Sequence, residues 1–247
     1  MNNRSFAWFN AIVVATTIFL SYYSNTGAIN GNTMGSLSNE YTNLFTPAGY
    51  AFAIWGFIYI GLIGNAVFQL FNSKDPMVRP MATWLSLANI ANCIWVLLWL
   101  YELTRLSILA MILILFSLLK LTVALQIGFR KQSVWAWWPV SIYTGWITVA
   151  LAANISAYLA KINWVSLLSE SNWAITIILV ASAIYIFLIL KRRLAYAGYV
   201  GVWALAAIAV KQWGEQITIQ WVAVISCALL FVLSVYQDYV NRTKLSA

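Results

Sequence analysis

The chain has 247 residues, 63% of them hydrophobic and 8% charged, with 14 Lys and Arg against 6 Asp and Glu and a formal charge of +8. Soluble domains carry about 25% charged residues, so an ordinary soluble fold is excluded; a chain without histidine also excludes His-ligated haem, a His-containing zinc site and a catalytic histidine. What fits is an all-α polytopic membrane bundle, because apolar stretches of about 20 residues cross a bilayer as helices and these lack the period-two alternation of barrel strands.

Eight transmembrane helices are predicted, at 5–24, 48–72, 81–100, 106–128, 137–160, 172–190, 194–210 and 217–236. The first follows Arg4 and has the length of a signal peptide, but no A-x-A site follows it, so it is expected to stay as a helix. After it comes the longest connection, 25–46, SNTGAINGNTMGSLSNEYTNLF, of a length that is uncommon between packed elements and often functional. The remaining connections are about ten residues or fewer, which predicts antiparallel packing of consecutive helices.

Charge sets the expected orientation. With a cytoplasmic N-terminus, Arg4, Lys74, Arg79, Arg130, Lys131, Lys191, Arg192, Arg193, Arg242 and Lys244 fall inside, ten against the three residues Arg105, Lys161 and Lys211 outside. The positive-inside rule then places both termini in the cytoplasm of a multi-pass protein of the cell (plasma or inner) membrane. The excess charge is thereby explained without a nucleic-acid partner.

Entry into the second helix reads as Thr46 at the N-cap and Pro47 at the first helical position, where a missing N–H costs nothing. Pro47, Pro76, Pro80 and Pro139 are all expected at helix starts or in connections, none interrupting a span. Gly61 and Gly64 could allow close helix approach, though their spacing is not G-x-x-x-G.

Three helices carry aromatic and amide residues in register. The second has Phe52, Trp55 and Tyr59; the third has Asn89, Asn92, Trp95 and Trp99; the fifth has Tyr143, Trp146 and Asn154. Spacings of three, four and seven place each set on one helix face, and polar side chains at membrane depth turn toward the bundle interior. Interhelical hydrogen bonding alone accounts for any single amide; the whole set suits a pocket for a planar apolar ligand. Trp8, Trp135, Trp137, Trp138, Trp164, Trp173, Trp213 and Trp221 lie near span ends, as an interfacial belt requires.

Lys120 is the one charge well inside a span, and it is expected to snorkel toward the surface. No Asp or Glu lies deep in a span, which counts against a carboxylate proton relay and a proton-driven pump. Cys93 and Cys227 read as free buried thiols rather than a disulfide or ligand pair.

In its order of features the sequence resembles the TspO/translocator protein family, the tryptophan-rich sensory proteins. The shared pattern is a first helix, a long loop, a Pro-x-Gly-aromatic entry into a Trp-containing second helix, LANIANCIWVLLW at 87–99, and PVSIYTGWITVALAANISAYL at 139–159. The likeness spans roughly residues 1–165 and implies a TspO-like five-helix bundle there, followed by three additional helices in 166–247 without a counterpart in the five-helix family. It implies a ligand-binding sensor or translocator whose pocket lies beneath the loop and takes a small apolar ligand, tetrapyrrole or sterol-like. Its lining would be Phe52, Trp55, Tyr59, Asn92, Trp95, Trp99, Tyr143, Trp146 and Asn154. No cofactor and no metal are required, a porphyrin entering as ligand, and the partners are that ligand, the lipid bilayer and, as an open assembly, a second copy of the chain. A secondary transporter of a small apolar solute and a light-dependent porphyrin-degrading enzyme are the alternatives. The chain departs from the family pattern in PAGYAFAIW, with Tyr50 for tryptophan and one residue fewer before Trp55.

Overall fold

A computed structural model describes residues 2–165 and 168–246. Its helices are α1 (Asn3–Tyr23), α2 (Met34–Glu40), α3 (Ile54–Phe71), α4 (Val78–Leu100), α5 (Thr104–Ala124), α6 (Val134–Lys161), α7 (Glu170–Leu190), α8 (Ala195–Lys211) and α9 (Ile217–Ser246), with a 3-10 turn at Gly49–Ala53 before α3. Among the described residues seven helices, the one entering through the 3-10 turn included, are long and apolar enough to cross a membrane, and α8 is a shorter apolar helix. The chain is therefore an integral membrane helical bundle, as its composition predicts. Seven of the eight predicted spans reach that length; α8 has 17 residues, below the roughly 20 of a full crossing.

Two local expectations fail. The N-cap of the 3-10 turn is Ala48, with no side-chain bond, because Thr46 Oγ1 instead accepts from the Asn43 N–H at 3.1 Å and closes a turn inside the loop. Pro139 is not at the helix start but the sixth residue of α6, which begins at Val134. In addition, α2 occupies part of the connection 25–46, and α9 runs ten residues past 236, ending in an exposed i,i+4 pair of Arg242 with Asp238 at 2.9 Å.

The chain divides into two compact units, residues 1–39 with 55–144 and residues 40–54 with 145–247. In the first, α4 packs between α1 and α5. Here α3 meets the start of α6 at two glycines: a Cβ on Gly61 would sit 3.0 Å from Pro139 and 3.1 Å from Trp138, and one on Gly64 would overlap the Trp135 ring. Lys120 is exposed four residues before the end of α5, its Nζ 5.5 Å from the Phe116 ring, which fits the snorkelling expectation.

In the second unit α7, α8 and α9 pack on one another, and Tyr185 of α7, fully buried, donates its hydroxyl to the Gly145 carbonyl of α6 at 2.7 Å. Gly145 also lets α8 approach. A Cβ there would lie 2.8 Å from the Ala197 carbonyl oxygen and 2.9 Å from its Cα, and backbone cannot rotate out of the way. Gly145→Ala is expected to destabilise the protein by about 1–3 kcal/mol through overpacking, read as a lowered thermal midpoint in detergent. Gly56→Ala, where a Cβ meets nothing within 4 Å, is the control that should leave the midpoint unchanged.

Candidate functional site

Four helices of the first unit bring polar and aromatic side chains together. From α4 come Asn89, Asn92, Trp95 and Trp99, all buried, as their common face requires. Trp95 and Trp99 stack with centroids 6.4 Å apart and planes 27° from parallel. From α3, Trp55 stacks on Tyr59 at 5.5 Å and meets Tyr143 of α6 edge-on at 5.8 Å. The Tyr59 hydroxyl lies by Ser21 of α1 and near the Cys93 thiol of α4, and Tyr143 lies near Tyr59 and Cys93.

The polar atoms of this cluster are unequally satisfied. Asn92 is 1% exposed, and neither its Nδ2 nor its Oδ1 has a hydrogen-bond partner among the described residues; Tyr143 is 0% exposed and its hydroxyl has none either. Burying an amide or hydroxyl without a partner costs roughly 1–3 kcal/mol per group, so the local fold does not by itself account for these two side chains. A ligand with donors and acceptors at the edge of a flat ring system would meet them and face the aromatic pairs at once.

The first half of the long connection is fastened at the end of α4. Asn30 and Asn32 each donate a side-chain N–H to the Leu100 carbonyl, at 3.0 and 3.1 Å, supplying partners for one of the carbonyls a helix C-terminus leaves open. Leu37 of α2 is 1% exposed, so this half of the loop is a packed element whose anchor sits one residue from Trp99.

Three of the residues expected in the pocket lie in the second unit: Phe52, Trp146 and Asn154. Phe52 is 40% exposed and meets Trp146 edge-on at 5.9 Å, and Asn154 is 4% exposed. Phe52 lies in the 3-10 turn Gly49–Ala53 that precedes α3, and Trp55 and Tyr59 lie in α3 itself.

Cys93 and Cys227 are free thiols, and no cluster of metal-binding side chains occurs among the described residues. Sequence reasoning passed over Asn65 and Gln69 of α3, both 0% exposed; amides spaced i,i+4 in an apolar span were the available signal. Gln69 Nε2 donates to Asn65 Oδ1 at 2.6 Å, and Asn65 Nδ2 donates to the Trp135 carbonyl at 2.7 Å.

No curated protein and no solved structure matches the chain. A family model described as TSPO-like protein matches residues 7–236, so the likeness runs past residue 165 through α7 and α8 and well into α9. Covering most of the chain, that match shows that this integral membrane protein belongs to the TSPO-like family.

Proposed function

We propose that the protein is a membrane ligand-binding sensor or translocator, and that the first unit binds a planar, largely apolar ligand bearing hydrogen-bonding groups, of the porphyrin or sterol-like class. The observation that carries this reading is the pair of buried, unpartnered polar side chains, Asn92 and Tyr143, set among Trp55, Tyr59, Trp95 and Trp99. The aromatic faces supply apolar area and the amide and hydroxyl orient the ligand edge. No intramembrane carboxylate is called on, and both termini face the cytoplasm by the distribution of Lys and Arg.

Titrating the purified full chain with protoporphyrin IX while following tryptophan fluorescence tests it. Saturable quenching is expected, with Tyr143→Phe and Asn92→Leu each weakening affinity by about five- to tenfold, the worth of one hydrogen bond. Quenching with the same midpoint in Asn92→Leu, Tyr143→Phe and Trp55→Phe would remove the site from this cluster.

A further inference from the structure

Below the aromatic cluster, the seam between α1 and α4 in the first unit holds a second set of buried polar groups. Ser86 Oγ donates to Asn10 Oδ1 at 3.3 Å. Asn89, one turn further along α4, donates its Nδ2 to the Leu85 carbonyl at 2.9 Å. Thr17 of α1, one hydroxyl for several neighbours, lies 3.5 Å from the Asn89 carbonyl and 3.4 Å from Cys93 Sγ, while donating to Val13 at 2.9 Å. Two atoms are left over, the Asn10 Nδ2 donor and the Asn89 Oδ1 acceptor; both residues are 0% exposed, and neither atom has a partner among the described residues.

These leftovers are complementary. One is a donor on α1, the other an acceptor on α4, and Ser86, bonded to Asn10, is three residues from Asn89 and so on the same face of α4. Direct pairing of the two amides would satisfy both atoms, yet they do not pair. A molecule that accepts from Asn10 and donates to Asn89 meets both demands, and the smallest with both capacities is water, which in protein interiors takes two to four such partners.

We propose that the α1–α4 seam is a binding site for ordered water, bridging Asn10 Nδ2 and Asn89 Oδ1 inside the membrane-spanning part of the protein. The site adjoins the ligand cluster, sharing the Asn89 face of α4 with Asn92, but it rests on different atoms and stands whether or not that cluster binds a porphyrin. A bridging water replaces one direct interhelical hydrogen bond with two to a movable molecule, so the seam joins α1 to α4 without locking their register.

Asn65 supplies an internal dry control, because its Nδ2 and Oδ1 are both taken by protein groups, Trp135 and Gln69. Water-edited solid-state NMR on asparagine-labelled, ligand-free full chain in phosphatidylcholine vesicles reads magnetisation passing from water to each side-chain amide. Asn10→Ser and Asn89→Ser serve to assign the signals. Asn10 and Asn89 are expected to build up as fast as exposed Asn72, with Asn65 slow. In Asn10→Leu the transfer to Asn89 is expected to fall about fivefold, for one bridging bond lost. Build-up at Asn10 and Asn89 as slow as at Asn65 would overturn the proposal in the wild-type protein alone, whatever the variants do. Fast transfer to Asn89 that persists undiminished in a folded Asn10→Leu protein would overturn the bridge.

Discussion

Asn65→Leu is expected to destabilise the first unit by about 1–3 kcal/mol, the cost of stranding buried polar groups, and Pro139→Ala in that background is expected to restore part of the loss. The reason lies in α6. Proline at its sixth position has no N–H, so the carbonyl four residues earlier, that of Trp135, loses its intrahelical partner. Asn65 of α3 supplies the missing donor from outside, 2.7 Å from that oxygen, while its own Oδ1 is occupied by Gln69 at 2.6 Å. Gly61 and Gly64 leave room for the approach, since a Cβ at either would press on Pro139, Trp138 or Trp135.

Leucine at position 65 keeps the volume and removes the donor, orphaning the Trp135 carbonyl and the Gln69 amide together. Alanine at 139 returns the N–H, so the two substitutions are coupled and the double variant should be more stable than the sum of single effects predicts. Thermal midpoints of the four proteins in one detergent complete the cycle. Strict additivity would mean that Asn65 does not stand in for the proline N–H.

That arrangement also marks the limit of what the amino-acid order makes visible. Helices of 20 or so apolar residues are legible because a bilayer demands them, and the face carrying Asn89, Asn92, Trp95 and Trp99 is legible because α4 is regular throughout. Phe52 is placed outside α3 because the winding changes from 3-10 to α at Ile54, a change that an apolar run does not mark. Pro139 reads as a helix start until a donor on another helix, 74 residues away in sequence, is seen to make an interior proline tolerable. The grouping of 40–54 with 145–247 depends in the same way on contacts between distant segments, to which local pattern is blind. Orphaned atoms such as Asn92 Nδ2 become visible only once every neighbouring donor and acceptor has been placed.

Trp203→Ala is expected to release the segment that leads into α3. Residues 41–51 are stitched to the rest of the second unit at successive points. The Ala48 N–H donates to the Ala207 carbonyl of α8 at 3.1 Å, Trp203 Nε1 donates to the Ala51 carbonyl at 3.0 Å, and Tyr50 meets the Trp203 ring edge-on at 5.3 Å. Further back, Gln212 Nε2 holds the Leu44 carbonyl and Lys211 Nζ holds Thr42 Oγ1, both at 3.0 Å, while Lys161 of α6 lies over the Tyr41 ring at 5.1 Å. Trp203 makes two of these links and is 37% exposed, so its loss should cost roughly 2–3 kcal/mol, below the range for a fully buried tryptophan.

That energy is local. Opening of the segment becomes easier while the helices stay packed, and chymotrypsin cleavage between Tyr41 and Tyr50 should accelerate by about 30- to 150-fold where it tracks the open population. Trp203→Phe, which keeps a ring against Tyr50 but has no N–H, should fall between the two. Helical circular dichroism should match wild type in both. The stitches all lie within the second unit, residues 40–54 with 145–247, so the release is read in that unit alone. Cleavage at the wild-type rate in Trp203→Ala would show that the remaining stitches hold the segment without Trp203.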